Sequence, residues 1–430
     1  MSKSQQAHVL DHPSRATRLH LRAAISGKHW QSQFFRKRRA VVTFFAGVLL
    51  VVTAGTVATA SIGGTGGHAR SAASTSTPVM SGSWTTPSNE TSAPIVETPG
   101  GAMSGQGDFN AIVCSSDSAC IAVGGDSKLQ GVAGITTDGG ATWTKGSLTS
   151  ASPELNAVSC WDRPNCVAVG VGSTASSNDG GATWTTHSIP TTNTTLLGVS
   201  CPSSSSCVAV GVVPGNAGPL GGQILLSTDG GTTWTSPTVP AYVGALGSVD
   251  CPSVAFCVSV GAQILVSTDG GQSWSPRYVE GGTGILRSVS CSSATSCVAL
   301  GANGAGLSDS TAGGFEVATT DAGTTWNPVA MPPGSSQVNA ISCVSGSCTV
   351  GGPALGAEAT PLFQSDDGGK TWSSRSAPDG VTAIASLACS MTTCVFVGQE
   401  GSQAVSGSSS GGTWSAEIIS GLSGALAASQ

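Results

Sequence analysis

One eight-residue pattern, [S/T]-x-D-x-G-x-[S/T]-W, constrains the fold of this chain more than any other feature, because it occurs six times. A seventh, decayed copy ends at Trp414, and we align Ser409 with its Asp position. Successive tryptophans are 41, 50, 40, 52, 46 and 42 residues apart, the length of a four-stranded propeller blade. The repeat therefore predicts an all-β, seven-bladed β-propeller of four-stranded blades. The six intact copies end at Trp143, Trp184, Trp234, Trp274, Trp326 and Trp372.

The chemistry of the pattern is that of a turn. Asp229 can accept hydrogen bonds from backbone N–H groups of its own turn, Gly231 can adopt a positive φ, and Trp234 can cover the turn. We therefore assign a structural role to the aspartates of this box, and not catalysis or metal binding. They are Asp138, Asp179, Asp229, Asp269, Asp321 and Asp367.

All 14 cysteines fall into close pairs, one pair ahead of each box. Facing positions at the mouth of a β-hairpin meet the distance limits of a disulfide. Zinc is disfavoured because C-x2-C spacing is absent and His187 is the only histidine after residue 107. We predict seven local disulfides, each contributing roughly 2 to 2.5 kcal/mol, and no metal or cofactor. The predicted pairs are Cys114 with Cys120, Cys160 with Cys166, Cys201 with Cys207, Cys251 with Cys257, Cys291 with Cys297, Cys343 with Cys348, and Cys389 with Cys394.

Each blade is predicted to contain four strands, A to D, from the channel outwards, and the second cysteine of each pair is expected to open strand B. In blade 3 we expect them near Leu196–Cys201, Cys207–Val212, Gln223–Ser227 and Thr233–Val239, which are rich in β-branched and apolar residues. Antiparallel order places the A–B cysteine turns and the C–D boxes on one side of the ring, here called the box face. The B–C and D–A connections form the opposite side, here called the mouth face.

Variation in length is concentrated on the mouth face. The distance from the second cysteine to the box tryptophan runs 23, 18, 27, 17, 29, 24 and 20 residues, whereas the cysteine turns barely vary. Variable loops on a rigid scaffold commonly carry binding, so the mouth face is the predicted functional side. Four positions before each first cysteine, a mostly polar set is predicted to ring the channel mouth. It comprises Asn110, Asn156, Leu197, Gly247, Arg287, Asn339 and Ala385.

From that set we predict binding residues Asn110, Asn156, Arg287 and Asn339, together with Tyr242 from a D–A loop on the same face. Their alternative role is to bond water in the channel. Arg287 is the only cation expected on an inner strand, and a tyrosine beside it can anchor a partner.

The N-terminal part differs sharply from the propeller, predicted to span residues 108–430. Residues 1–39 form a basic tail, 40–62 an uncharged apolar run long enough to cross a bilayer, and 63–107 a flexible stalk rich in Gly, Ser, Thr and Pro. Four basic residues precede the apolar run, so we predict a cytoplasmic N-terminus and an extracytoplasmic propeller. The alternative is a signal peptide cleaved near Ala60, which also exports the propeller.

The net negative charge of the predicted propeller argues against nucleic acids as partners. Residues 82–430 hold seven basic against 22 acidic side chains, a net charge of −15, which would repel phosphate backbones. We therefore predict no nucleic acid as a partner. Asp108, Glu154 and Asp250 do not form an evident catalytic pair, and we interpret these acids as solvated.

The boxes resemble the BNR, or Asp-box, repeat of sialidases, sortilin-type receptors, some endoglucanases and photosystem II stability and assembly factors. The seven-fold count and short blades look most like the last group, which implies a scaffold that helps a membrane complex assemble. The acidic domain does not reproduce the basic patch of that group. A sialidase would need an arginine triad and a tyrosine paired with an acid at the funnel, which Arg287, Tyr242 and Tyr278 do not supply.

The sequence thus predicts a non-enzymatic, membrane-tethered binding propeller for an unidentified protein or glycan partner. The alternative is an exported carbohydrate-active enzyme, a glycoside hydrolase of Asp-box type, which would need clustered carboxylates at the funnel.

Overall fold

The computed structural model describes residues 108–126, 128–149, 152–191, 193–213, 221–279, 284–302, 313–335, 338–354, 359–410 and 412–419. The predicted basic tail, membrane segment and stalk lie outside these residues. Those described ranges contain no helix with the length and hydropathy of a membrane span.

The first three blades show how the repeat becomes antiparallel sheet. Blade 1 consists of β1 (Asp108–Cys114), β2 (Cys120–Gly125), β3 (Gly131–Thr136) and β4 (Thr144–Lys145). Blade 2 consists of β5 (Ser147–Leu148), β6 (Leu155–Asp162), β7 (Asn165–Gly170), β8 (Ser173–Ser177) and β9 (Thr183–Ser188). Blade 3 consists of β10 (Thr195–Ser200), β11 (Cys207–Val213) and β12 (Gly221–Ser227).

The remaining blades each have four strands. Blade 4 consists of β13 (Leu246–Asp250), β14 (Cys257–Gly261), β15 (Ile264–Ser267) and β16 (Ser275–Arg277). Blade 5 consists of β17 (Ile285–Cys291), β18 (Cys297–Ala302), β19 (Gly313–Thr319) and β20 (Asn327–Pro333). Blade 6 consists of β21 (Ala340–Val344), β22 (Ser347–Gly351), β23 (Leu362–Ser365) and β24 (Ser373–Ser374). Blade 7 consists of β25 (Ala383–Cys389), β26 (Cys394–Glu400), β27 (Gln403–Ser410) and β28 (Thr413–Ile418). The prediction of a seven-bladed, all-β propeller is confirmed.

The second cysteine opens strand B in five blades, as predicted, but not in blades 2 and 6. There β7 begins at Asn165, one residue before Cys166, and β22 begins at Ser347, one residue before Cys348. In blade 2 Asn165 pairs with Asp162, and blade 6 has an equivalent extra pair. The predicted strand starts at Cys166 and Cys348 were therefore wrong, because the ladder continues by one residue pair past the cysteines.

The outer strand of blade 3 also departs from the prediction. Only Thr235 pairs with the neighbouring strand, at Leu226, and the chain then turns away so that Thr238 pairs with Ser273 of blade 4. Pro237 and Pro240 explain the difference, because proline has no N–H to donate to a ladder. The predicted strand Thr233–Val239 was therefore wrong.

The core consists of seven apolar clusters, one at each junction between neighbouring blades. At the junction of blades 1 and 2, Val123, Leu155 and Trp184 are buried together. Every box tryptophan packs at the junction with the preceding blade, so each box links two blades. Burial of apolar surface between the sheets therefore stabilises the ring as a whole.

Closure of the ring joins blade 7 to blade 1. Phe109 and Ile112 of blade 1 pack with Val395 and Val397 of blade 7 in a single cluster. On the box face, the Asp117 carboxylate accepts hydrogen bonds from the hydroxyls of Ser390 and Thr392. Within the described residues, the closing blade is therefore built from consecutive strands and is held to blade 1 by side chains.

Candidate functional site

The box face is held by the seven predicted disulfides, all of which are confirmed. The Cα atoms of the seven pairs are 3.9 to 4.1 Å apart, and none of the described cysteines is free. Each bridge closes the A–B hairpin of its own blade. The bridges join Cys114 to Cys120, Cys160 to Cys166, Cys201 to Cys207, Cys251 to Cys257, Cys291 to Cys297, Cys343 to Cys348, and Cys389 to Cys394.

The intact boxes share one hydrogen-bond geometry. In blade 3, Oδ1 of Asp229 accepts the Thr233 N–H at 2.8 Å, and Oδ2 accepts the Thr233 hydroxyl at 2.6 Å. The Ser227 hydroxyl donates to Oδ1 at 2.8 Å and accepts the Gly231 N–H at 2.8 Å. The Trp234 indole N–H donates to the Gly231 carbonyl at 3.0 Å, a bond that recurs in blades 1, 2 and 4 but not at Trp326 and Trp372. Both carboxylate oxygens are thus occupied within the turn.

These hydrogen bonds stabilise the charged form of the carboxylate. The Thr142 hydroxyl, followed by the Thr142 N–H and the Thr136 hydroxyl, lowers the pKa of Asp138 to about 2. The Thr325 hydroxyl and N–H lower the pKa of Asp321 to about 2 in the same way. A carboxylate that is fully bonded and ionised is a turn-holding group, not a proton donor at neutral pH.

A link between box and cysteine turn was missed by the sequence reasoning. In blade 1 the Gly139 N–H of the box donates to the Ser118 carbonyl of the cysteine turn at 2.8 Å. Equivalent bonds occur in blades 2 to 6, so the disulfide hairpin and the box hairpin support each other. The donor residues in those blades are Gly180, Gly230, Gly270, Ala322 and Gly368.

The seventh box is aligned differently from the prediction. Val395 pairs with Ser408, and the Ser409 hydroxyl accepts the Cys394 N–H at 2.9 Å. In blade 1 the residue opposite the second cysteine is Thr136, which opens the box. Ser409 thus occupies the opening Ser/Thr position, and its assignment to the Asp position was wrong. Two residues are missing from this turn, and Ser410 pairs directly with Thr413 in a tight hairpin.

On the mouth face, six of the seven ring positions are β-bulges of the innermost strand. The pairing register shifts between Phe109 and Ala111, and equivalent shifts occur in blades 2, 3, 4, 5 and 7. A bulge leaves its extra residue without a ladder partner and redirects its side chain. The bulged residues are Asn110, Asn156, Leu197, Gly247, Arg287 and Ala385, whereas Asn339 directly precedes β21.

Two of the predicted binding asparagines also connect neighbouring blades. The Asn110 amide donates to the Leu155 carbonyl at 2.9 Å and to the Glu154 carboxylate at 3.0 Å. The Asn156 amide donates to the Leu196 carbonyl at 2.8 Å. These bonds give the two residues a structural role between blades, and their contribution to binding stays a prediction.

Arg287 is different, because nothing in the described residues neutralises or bonds its guanidinium. The residue is partly buried, and this desolvation lowers the pKa of its guanidinium. The neighbouring bulge on the blade 4 side is Gly247, which has no side chain to fill the space beside it. On the blade 6 side, Oδ1 of Asn339 is buried and has no hydrogen-bond partner in the described chain. A cation without a protein partner and a buried, unbonded amide oxygen therefore belong to adjacent blades at the mouth.

Tyr242, the remaining predicted binding residue, is 65% exposed in the D–A connection between blades 3 and 4. The structure thus places Tyr242 and Arg287 on the same face and in adjacent blades, as expected from the topology.

A series of hydrogen bonds between inner strands was also missed. Ser200, just before the first cysteine of blade 3, accepts the N–H of Cys251, the first cysteine of blade 4, at 3.0 Å. In blade 4 the same position is Asp250, whose Oδ2 accepts the Cys291 N–H at 2.6 Å. Other members of this series are the bonds from Cys201 to Ser159, Cys343 to Ser290 and Cys389 to Ser342.

Asp250 contradicts its interpretation as a solvated acid, and a second acid, Glu316, is buried as well. Asp250 is fully buried, and desolvation raises its pKa to about 7 against the opposing effect of the Cys291 N–H. Glu316 is fully buried at the junction of blades 5 and 6, and desolvation raises its pKa to about 9. Thr174 occupies the equivalent position in blade 2 and accepts the Trp234 indole N–H. The sequence showed no sign of this burial, because it depends on contacts between blades.

Comparisons with known proteins agree with this architecture. The model of the BNR/Asp-box repeat matches residues 265–276, the box of blade 4. A search of curated protein sequences found no match. A structure of YCF48 bound to a D1 peptide is 17% identical, covering 72% of this chain and 93% of that chain with a TM-score of 0.49. YCF48 from Cyanidioschyzon merolae is 16% identical, covering 72% and 97%, with a TM-score of 0.45.

An ancestral GH74 enzyme is 13% identical, covering 76% of this chain and 48% of that chain with a TM-score of 0.52. The chain therefore spans about half the length of that enzyme, and the likeness concerns the fold. This chain is thus a seven-bladed propeller, and the BNR/Asp-box repeat model matches one of its boxes.

Proposed function

We propose that this chain is a binding and scaffold propeller, tethered to the membrane through residues 40–62, whose extracytoplasmic mouth face holds a protein or glycan partner. Assembly of a membrane complex is the role proposed for it. The observation that carries the proposal is the guanidinium of Arg287, which belongs to a partly buried residue and has no hydrogen bond or ion pair within the described residues.

A partly desolvated cation without a protein partner gains from an acceptor that a ligand supplies. The box carboxylates are bonded within their own turns, as in Asp229, whereas Arg287 has no partner within the described residues. An incoming partner that supplies an acceptor to Arg287 removes this cost. The mouth face is therefore the binding side that the geometry supports best.

The competing hypothesis, a carbohydrate-active enzyme, requires two carboxylates that reach one sugar. The two described acids with raised pKa values, Asp250 and Glu316, are fully buried in separate blade junctions and cannot touch a substrate. Glu154 lies at the mouth and is held by Asn110. The fold likeness to a GH74 enzyme makes a direct test of this hypothesis worthwhile.

The test compares partner capture by two double variants of the full chain in detergent. Tyr242→Ala with Arg287→Met removes the mouth groups while keeping the length of the arginine stem. Arg163→Ala with Met391→Ala removes a cation and an exposed apolar group from the box face. We expect the mouth variant alone to lose the protein that wild type retrieves from membrane extracts, with the melting temperatures of both variants near wild type.

Equal capture by both variants would contradict the proposal. So would turnover of chromogenic glycosides that a single carboxylate substitution at the mouth, such as Glu154→Gln, abolishes. The tether is tested separately, by N-terminal sequencing of the protein recovered from cells. An N-terminus near Ser61 would show cleavage near Ala60 in place of an anchor.

A further inference from the structure

Blade 5 has a buried carboxyl group at each of its two junctions. Asp250, just before the first cysteine of blade 4, lies against blade 5, and Glu316, three residues before the box of blade 5, lies against blade 6. They are the two acids that are fully buried among the described residues. The other blades have neutral residues at these positions. These are Val113, Ser159, Ser200, Ser290, Ser342 and Ala388 at the first position, and Ala133, Thr174, Ile224, Ile264, Leu362 and Ser406 at the second.

On the blade 4 side, Asp250 connects two inner strands through only one of its oxygens. Oδ2 accepts the Cys291 N–H at 2.6 Å, whereas Oδ1 is buried and has no hydrogen-bond partner in the described chain. The groups that act on this carboxyl are the backbone N–H groups of Cys291 and Cys251, and no charged side chain among the described residues faces it. An ionised Asp250 therefore has no cation to compensate its charge.

On the blade 6 side, Glu316 projects from β19 against the box of the next blade. Its Oε1 would be 3.0 Å from a Cβ at Gly369. Both carboxyl oxygens and Nε1 of the neighbouring Trp372 are buried without a hydrogen-bond partner in the described chain. The charged group that faces Glu316 among the described residues is Asp367, whose like charge disfavours ionisation. Thr174, at the same position in blade 2, bonds the indole of the next box with a neutral hydroxyl.

Both carboxyl groups hold a proton in the folded ring at acidic pH and lose it as pH rises. Desolvation raises the pKa of Asp250 to about 7 and that of Glu316 to about 9. Because both folded pKa values lie above those of a solvated carboxyl, the stability of the two junctions is complete below about pH 4 and falls as pH rises through 7 and 9. Water that reaches an ionised acid removes the cost of burying its charge, so opening of the junction becomes more favourable.

The sheet of blade 5 does not depend on the two carboxyl groups. Strands β17 to β20 are joined by backbone hydrogen bonds, and Cys291 is bridged to Cys297. The junctions are held by apolar clusters and by single side-chain bonds, such as that from the Val289 N–H to the Ser248 hydroxyl at 3.3 Å. Weaker junctions therefore separate blade 5 from its neighbours before its own ladder breaks.

We infer that blade 5 is a pH-controlled element of the ring, which loosens as a unit from blades 4 and 6 when Asp250 and Glu316 ionise, while the other blades stay closed. This inference concerns the ring itself and does not depend on the proposed binding function. Arg287 lies on β17, four residues before Cys291, so the loosening reaches the strand that carries the cation of the mouth.

Hydrogen exchange of the full chain in detergent tests this inference between pH 5.5 and pH 9. Exchange rates are measured by mass spectrometry and compared with those of unstructured peptides at the same pH, which gives a protection factor for each segment. We expect the protection factors of 286–302 and 314–319 to fall by about tenfold or more, because both segments take part in one opening. Segments 155–170 and 173–177 of blade 2, which contain Ser159 and Thr174, should change by less than about twofold.

Variants that cannot ionise at these positions identify the cause. Asp250→Ser with Glu316→Thr introduces the two residues of blade 2, and Asp250→Asn with Glu316→Gln keeps the original size. We expect both double variants to retain at pH 9 the blade 5 protection that they have at pH 5.5. Glu400→Gln, which neutralises an exposed acid of blade 7, is the matched control and should show the same fall as wild type.

The wild-type measurement is decisive even if a variant fails to fold. An equal fall in every blade would show a global loss of stability in place of a moving blade, and constant protection in blade 5 would contradict the ionisation. A fall limited to 286–302 or to 314–319 would overturn the movement of the blade as a unit. Persistence of the fall in both double variants would overturn the assignment to these two acids.

Discussion

The two faces of the propeller use polar side chains in opposite ways. On the box face, Asp229 makes hydrogen bonds through both carboxylate oxygens, and every one of them lies within its own turn. On the mouth face, Arg287 and Oδ1 of Asn339 have no partner within the described residues. The conspicuous acidic motif of this chain is therefore structural, whereas the less regular mouth face keeps polar groups without a protein partner.

The largest expected effect concerns an exception on the structural side, the buried Asp250. Because its folded pKa is raised to about 7 from 3.8, the folded protein holds a proton that the unfolded chain has released. Stability therefore falls as pH rises from about 4 to about 7, by about 4 kcal/mol at 1.36 kcal/mol per pKa unit. Asp250→Ser restores the residue found at this position in blades 2, 3, 5 and 6.

Thermal melts at pH 5 and pH 8 measure this effect. We expect wild type to lose stability between the two values and Asp250→Ser to lose much less, so that the variant is the more stable protein at pH 8. Asp250→Asn, which keeps the size but cannot ionise, should behave similarly. Identical pH profiles for all three proteins would show that Asp250 is not the buried acid described above.

A smaller effect is expected for a box carboxylate. Asp229→Ala removes the acceptor for the N–H and hydroxyl of Thr233, which costs about 1 to 2 kcal/mol because water reaches this exposed turn. Denaturant titration measures the loss, with Asp366→Ala as the control because Asp366 is exposed at the second position of the blade 6 box and is not its turn-holding residue. Loss of partner capture at full stability would move the binding site to the box face.

The pH dependence of the boxes has the opposite sign to that of Asp250. Hydrogen bonds from Thr142 lower the pKa of Asp138 to about 2, below its ordinary value of 3.8. The stability they contribute is present above pH 4 and is lost as pH falls towards 2. We expect the free energy of unfolding of Asp138→Ala to fall less between pH 5 and pH 2 than that of wild type. An equal fall in both proteins would contradict the turn-holding role.

The smallest stability effect is expected at the ring closure. Asp117→Ala removes the bonds to Ser390 and Thr392, but the site is exposed and the apolar cluster around Phe109 remains. We expect a loss below about 1 kcal/mol. Hydrogen exchange in β25 and β1 should rise more than in β13, and uniform exchange in all three would indicate that Asp117 does not contribute to closure.

Sequence reasoning succeeded where information is local. The box spacing predicted the blade count, and the spacing of Cys201 and Cys207 predicted a disulfide, because both features depend on residues within one hairpin. It failed where blades meet, since the burial of Asp250 and Glu316 is determined by residues about one blade away in sequence. The seventh turn was misaligned because the loss of two residues shifts Ser409 relative to Trp414.

Some structural features that were not predicted nevertheless had a signal in the sequence. Pro237 and Pro240 interrupt the predicted outer strand of blade 3, and either one removes a ladder donor. The unusual polar residues four positions before the first cysteines coincide with bulges, which have no fixed sequence signature. The position of Tyr242 in a connection on the mouth face followed from topology, whereas the absence of a partner for Arg287 required the structure.

Hydrogen exchange with and without the captured protein tests whether the mouth face binds while the box face supports the fold. Amide protection is measured by mass spectrometry. We predict new protection in segments 240–247 and 284–290, with box segments such as 227–235 unchanged. Protection confined to the boxes and cysteine turns, with none at the mouth, would contradict this assignment of the two faces.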